Sequence, residues 1–386
     1  MDKNKLKKTA PDIGPFKALI VFRESGEMDN LFVPTLCDAI RQRKIDVRCS
    51  TEEFWNPSTH YAVIHFQWPE EVVGWNCHDP LAVHRLEERI AHFRSAGTRF
   101  IYTRHNSRPK NGNEIIGRAY DVIESNSDVV VHMGAFSHRE FIELYPEALN
   151  VVIPHHLYQY TYKEDISTEH ARQKLRLPQG AFIVAALGKY RSRDEIRLTV
   201  GGFRRTPVDH KLLLAPRLYP FSRQNPYPGK PLKRYLSRMG YHLLIPLLNR
   251  WFNLRAGASD EVVDPCDLPY YIAAADVILI GQKGDLSTSD ILLAFLFRKV
   301  VAGPDSGNIG ELLRETGNPT FHPGDKFRIG HALLQARRLS RKLKGEMNHD
   351  YALDRMSIKE VGTRYANLYN ELAERKKEPR IQEINL

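Results

Sequence analysis

Ala274-Ala-Asp-Val-Ile-Leu-Ile280 is followed by Gly284-Asp-Leu-Ser-Thr-Ser-Asp290-Ile-Leu-Leu-Ala-Phe295 and then by Val300-Val-Ala-Gly-Pro-Asp305-Ser-Gly-Asn-Ile-Gly-Glu311-Leu-Leu313. Apolar run, polar Gly/Ser loop and helical pattern occur twice in succession, which predicts strand–helix units of a parallel sheet. Residues 281–289 bring the hydroxyls of Ser287, Thr288 and Ser289 and the carboxylate of Asp285 to the opening of a helix. Free backbone N–H groups at such an opening favour an anionic or polar ligand, and a diphosphate or a sugar ring fits there.

Upstream, the same alternation runs through the first third of the chain. Strands are expected at Lys17–Phe22, Tyr61–Phe66, Arg99–Tyr102, Val129–His132 and Val151–Ile153, with helices through Leu31–Ile40, His84–Ala96, Asn113–Ser125 and Phe136–Leu144 between them. The polar stretch Tyr158–Gln179 lacks clean periodicity and reads as a linker with one short helix. A second series then starts with strand Phe182–Leu187 and continues through Leu212–Ala215, Val262–Val263, Val277–Ile280 and Val300–Ala302, with helices at Leu268–Ala274 and Ile291–Phe297. The last helix is expected at about Ile358–Arg375, with Val361, Tyr365, Leu368 and Leu372 at helical spacing. The fold class is therefore α/β, with two open parallel sheets. The expected domains are 1–157, 158–360 and a C-terminal helical segment 361–386.

A chain of 386 residues with ordinary composition favours two medium cores over one very large one, and two domains imply a cleft. The longest apolar runs, Ala18–Phe22 and Leu243–Leu248 with Pro246 inside it, fall far short of a bilayer span, and the N-terminal lysines lead into Pro and Asp rather than a signal core. A cytoplasmic location is expected. Cys37, Cys49, Cys77 and Cys266 form no CxxC pair or zinc spacing, so redox and structural zinc roles are not expected.

Of the formal net charge of +10, eight charges sit in Arg217–Arg255, which holds eight Lys or Arg and no Asp or Glu, interleaved with Tyr, Phe and Trp. A basic aromatic stretch suits the headgroup region of an anionic membrane surface. A solvated helical hairpin covering the second sheet is the plainer alternative. Single-strand nucleic-acid binding ranks last, because no nucleic-acid motif accompanies the segment.

Open parallel sheets bind ligands outside the carboxyl ends of their strands, so the turns there are the candidates. Gly26 follows the first strand and lets backbone approach a substrate or simply makes the turn; the chain lacks the GxGxxG dinucleotide fingerprint there. His65 and the pair His105 and Asn106 bring two imidazoles and an amide to one sheet edge. His105 is the better general base, since imidazole titrates near neutrality; a backbone-bonded strand-end histidine is the competing reading. Lys189, Arg191 and Arg193 surround the glycine turn of Gly188 and would neutralise a diphosphate leaving group, or form a solvated loop. Ser287, Thr288 and Ser289 serve as ligand contacts, as helix caps, or as both.

These features together resemble the two-domain GT-B glycosyltransferases, closest to the family-4 type of bacterial capsule and exopolysaccharide assembly. The resemblance is carried by Gly284–Leu313, Thr103–Asn106, the turn of Gly188, and Ile153-Pro-His-His-Leu-Tyr158, which is similar to an interdomain "IPH…Y" segment. It implies a nucleotide-diphosphate sugar on the second domain, a glycan or lipid-linked acceptor on the first, and a last helix that crosses back. It places Lys189, Arg191, Arg193, the three hydroxyls and Glu311 on the donor, His105 and Asp285 at the chemistry, and Gly26, His65, Asn106 and His155 on the acceptor side. No cofactor, metal or nucleic acid is implied, and peripheral membrane contact falls to Arg217–Arg255. The family's two acids, seven residues apart, fall on Asp285 and Leu293, so one is shortened and the other absent. A catalytically idle glycan-binding or assembly protein of the same fold is the alternative.

Overall fold

A computed structural model describes residues 16–23, 31–109, 113–190, 192–218, 253–256, 263–281 and 286–374, with a few positions between 232 and 250. Two parallel six-stranded sheets form it. The first holds β1 (Lys17–Val21), β2 (Asp46–Cys49), β3 (Val63–Phe66), β4 (Arg99–Arg104), β5 (Val129–His132) and β6 (Asn150–Val152), in the order β2-β1-β3-β4-β5-β6. The second holds β7 (Phe182–Ala185), β8 (Lys211–Ala215), β9 (Leu254–Ala256), β10 (Val277–Leu279), β11 (Val300–Pro304) and β12 (Thr320–Phe321), in the order β12-β11-β10-β7-β8-β9. The order reverses between β1 and β3 in one sheet and between β7 and β10 in the other, and these are the places where open α/β sheets leave a crevice.

Helices cover both faces of each sheet, so the central strands are buried along their length: all residues of β3, β4, β5 and β7 are buried. This explains why they read as continuous rather than alternating apolar runs. The four edge strands escape that pattern. β2 alternates as a partly exposed strand, β6 is only partly buried, β12 has two residues, and β9 (Leu254–Ala256) straddles the end of the basic segment; Val263, expected in a strand, is irregular.

The last helix, Ile358–Glu374, leaves the second domain and packs on the helix Phe32–Arg41 of the first. Val361, Tyr365, Leu368, Tyr369 and Leu372 are fully buried in the first domain's core. At roughly 1.5–3 kcal/mol per buried side chain, the helix is an integral part of that core. The chain thus passes between the domains twice, and the passages are joined: the Leu157 N–H donates to the Met356 carbonyl at 2.6 Å, and the Ile358 N–H donates to Gln159 Oε1 at 3.0 Å.

A second joint lies where the helix Gly307–Glu315 meets the helix Ala135–Leu144. Glu311 accepts from the Phe136 N–H at 2.7 Å and pairs with Arg139, while Asn308 Oδ1 accepts from the Ser137 N–H at 3.1 Å. A carboxylate at a helix N-terminus is favoured by the free amides and the helix dipole. Gly134 makes room for this contact: a Cβ there would stand 2.5 Å from Asn308 Oδ1.

Candidate active site

Between the domains, at the facing carboxyl ends of their strands, lies an open cleft of about 250 Å³. His105 lines its first-domain wall directly after β4. The ring stacks on Trp68 with centroids 3.8 Å apart and meets Phe32 edge-on at 5.2 Å. Its Nε2–H donates to Gln67 Oε1 at 2.8 Å. Only 5% of His105 is exposed, so the imidazole is locked in place with an edge toward the cleft. His155 also lines the cleft, next to Phe32 at 4.6 Å, and its Nδ1–H donates to the His156 carbonyl at 2.7 Å. Burial pushes the His155 ring down to about 3, so it stays neutral near neutral pH.

Opposite them, Ser287, Ser289 and Asp290 line the cleft at the opening of the helix Ser289–Leu296. The two serine hydroxyls are 3.1 Å apart. Thr288 is buried, and its carbonyl accepts from the N–H groups of Ile291 and Leu292, so it starts the helix rather than facing solvent. Tyr158 and Tyr162 also line the cleft, and Arg217 is its described basic lining residue. A narrow apolar pocket with about 20 Å³ of free space adjoins the cleft at the β7/β10 crevice, bounded by Gly188, Tyr190, Ile280 and Gly281. Gly281 is required there, because a Cβ would come within 2.3 Å of Thr199 Oγ1 on the next helix. Asp290 and Leu293 border both spaces and so join them. Lys189 lies exposed between two residues of the pocket lining, and Arg193 is exposed at the start of the helix Arg193–Arg205, which Ser192 caps by accepting from the Glu195 N–H at 3.2 Å.

Of the residues singled out in the sequence, His105, His155, Ser287 and Ser289 come together in the cleft. Three others have different surroundings. His65 is fully buried within β3, bonded to Tyr369, Thr103 and Gln67, so it faces the last helix and not an acceptor. Asn106 is buried against Tyr120, whose hydroxyl donates to Glu70. Glu311 spends its carboxylate on the interdomain contact with Phe136 and Arg139, away from the donor-side lining. Gly26, Arg191 and Asp285 lie outside the described residues, as does most of Arg217–Arg255.

Sequence reasoning passed over Trp68, Phe32, Tyr158, Tyr162 and Asp290 as site residues. Three of the five had a signal: Trp68 follows β3, Tyr158 ends the Ile153–Tyr158 segment, and Asp290 stands in the opening of the helix that starts at Ser289. Among the described residues no helix is long and apolar enough to cross a membrane.

Two Rossmann-like domains facing across a cleft, with the last helix returning to the first, make this a GT-B fold. No family model and no curated relative matches the chain. Among solved structures it is similar to sucrose-phosphate synthase from Thermosynechococcus elongatus, with a TM-score of 0.68 and 15% identity over 93% of this chain and 99% of that one. It is also similar to HepE of Anabaena in complex with UDP, with a TM-score of 0.64 and 14% identity over 92% of this chain and 100% of that one. An alpha,alpha-trehalose-phosphate synthase (UDP-forming) from Burkholderia vietnamiensis aligns with a TM-score of 0.60 and 10% identity, over 92% and 99% of the two chains. Identities this low carry the fold and leave the reaction to be argued from the site.

Proposed function

We propose that the protein transfers a sugar from a nucleotide-diphosphate donor to a hydroxyl of a glycan or lipid-linked oligosaccharide, as in surface polysaccharide assembly. The observation that carries this is the facing of His105 by Ser287, Ser289 and Asp290 across one cleft that continues into the apolar β7/β10 pocket. The base of the donor is placed at the mouth of this apolar crevice. The diphosphate then lies toward the helix openings, near Lys189, Arg193 and the serine hydroxyls, where positive charge and amide dipoles stabilise the leaving group. The HepE structures with UDP and with UDP-glucose support such a donor. The sugar is left pointing at His105, and the aromatic faces of Tyr158 and Tyr162 supply the apolar surface against which an acceptor ring packs. His105 holds or takes the acceptor proton as the new glycosidic bond forms and the nucleotide diphosphate departs. No metal is part of the proposal. Peripheral membrane contact through Arg217–Arg255 is proposed as the route to a lipid-linked acceptor.

A thermal-shift screen against UDP, GDP, CDP and their sugars tests the donor, since a ligand of the native state raises the melting temperature. A nucleotide that stabilises the protein and whose sugar is released or transferred supports the reading. One specific feature favours the alternative of an idle glycan binder: Leu293 lines the cleft where the family resemblance expects an acid. Glycan binding that persists while every donor remains intact, with membrane extract supplied as acceptor, decides for that alternative.

A further inference from the structure

His105 does not hold its place alone. Behind it, Gln67 accepts from His105 Nε2–H with its side-chain oxygen at 2.8 Å, while its nitrogen lies over the His65 ring, 3.0 Å from Nε2 and 3.4 Å from Nδ1. His65 Nδ1 is hydrogen-bonded to the Tyr369 hydroxyl at 2.7 Å. His65 Nε2 is hydrogen-bonded to the Thr103 hydroxyl at 2.7 Å, and that hydroxyl to the Tyr365 hydroxyl at 3.1 Å. Gln67, His65, Thr103, Tyr365 and Tyr369 have at most 1% exposure, and His65 also stacks on Tyr365 with centroids 5.5 Å apart.

We propose that Gln67, His65 and Tyr369 are positioning residues for His105, and that the last helix is for this reason a working part of the first-domain wall. The inference rests on the glycosyl-transfer reading for the role of His105, while the hydrogen-bond chain stands on its own geometry. Direction is what gives the chain its effect. Tyr369 and Thr103 hold the two nitrogens of His65 in the ring plane and so fix which face the ring turns to Gln67. That neutral aromatic face draws the Gln67 N–H toward itself and turns the Gln67 oxygen to His105. An oxygen at that point fixes the proton of neutral His105 on Nε2 and keeps Nδ1 as its basic nitrogen. Burial pushes His65 itself down to about 3, so it remains neutral and the direction of the chain does not reverse at ordinary pH. A third group orienting a base is the logic of catalytic triads; here the orienting group is an amide, and its own anchor comes from an element 264 residues beyond the base in sequence.

The test combines kinetics with the nitrogen chemical shifts of the His105 ring, read in ¹⁵N-histidine-labelled full-length protein and assigned with His105→Ala. In the parent, neutral His105 is expected as the Nε2–H form. Gln67→Leu should convert it to a mixture of the two forms and lower kcat roughly 10- to 100-fold, with the KM for the donor little changed. Gln67→Glu returns an oxygen acceptor and should restore the Nε2–H form and part of kcat. Tyr369→Phe should move both readouts in the direction of Gln67→Leu by a smaller step. An Nδ1–H form in the parent overturns the proposal, and so does a Gln67→Leu protein whose His105 signals match the parent. Losses of kcat that only track a falling melting temperature, with no change in the ring signals, also overturn it. If the parent turns over no donor, the ring signals still decide the hydrogen-bond chain, and it is the glycosyl-transfer reading that fails.

Discussion

On the first-domain side of the cleft, His105 and Gln67 are nearly or wholly buried, stacked on Trp68 and tied through His65 to the last helix. On the second-domain side, Lys189, Arg193 and Asp290 stand exposed at helix openings. One wall is fixed before any ligand arrives; the other offers charge and backbone dipoles that a ligand can gather. That division suits a reaction between two substrates. The group acting on the acceptor needs a set direction, since misplacement of it is costly, whereas a flexible diphosphate is captured by several modest contacts that add up.

The largest expected effect probes how the rigid wall is held. His65, His132 and His155 are each pushed down to about 3 by burial, below their unfolded value near 6.5. The unfolded chain therefore takes up protons that the folded one refuses. The stabilisation is fully present above pH 6.5 and is lost as pH falls toward 3, at roughly 1.4 kcal/mol per pH unit for each ring. Denaturant unfolding at pH 7.5, 6.5 and 5.5 should show this decline, and hydrogen exchange at pH 5.5 should show the first sheet opening early. An unfolding midpoint flat across that interval breaks the contrast at its base.

Next comes chemistry. His105→Ala should cost roughly 10²–10³-fold in transfer while leaving nucleotide affinity near the parent's, since the ring sits on the opposite wall. Loss of nucleotide affinity in that variant, measured calorimetrically, would mean that the two walls do not divide the substrates. The open wall answers to Lys189→Ala combined with Arg193→Ala, which should weaken nucleotide-diphosphate binding roughly 10- to 100-fold, in line with about 1.5–3 kcal/mol for charge-assisted contacts, and should leave the melting temperature of the unliganded protein almost unchanged. The smallest effect is expected at the joint between the domains. Gly134→Ala crowds Asn308 and should destabilise by about 1–3 kcal/mol, seen as a lower melting temperature. A variant as stable as the parent would show that this contact does not set the spacing of the walls.

Much of the scaffold was legible because buried parallel strands print themselves as apolar runs: β1, β3, β5, β7 and β10 all fell where those runs lie. β2 and β12 were missed because a short or half-exposed strand leaves no such run, and β9 because it straddles the end of a basic segment. His105 was legible from its place after β4. His65 was misplaced for a reason of pleat and partner: a residue inside a strand points to one face, and here that face is covered by a helix almost 300 residues later in the chain. Glu311 was misread because its partners, Phe136 and Arg139, belong to the other domain, and no local pattern announces which helix end a carboxylate will meet. Phe32 and Tyr162 went unremarked since they are indistinguishable by type from core residues until the cleft is drawn around them, whereas Trp68 and Tyr158 were marked only by their places after β3 and at the end of Ile153–Tyr158.

The bonded pair of passages at Leu157–Met356 and Gln159–Ile358 has a mechanical consequence. Two neighbouring spans of chain act as a strap hinge, permitting the lobes to rock about one line while opposing twist and sideways slip. A protease cut through either span alone should leave a nicked molecule that still elutes as one piece and closes along the same arc, because the uncut span and the docked helix keep the halves in register.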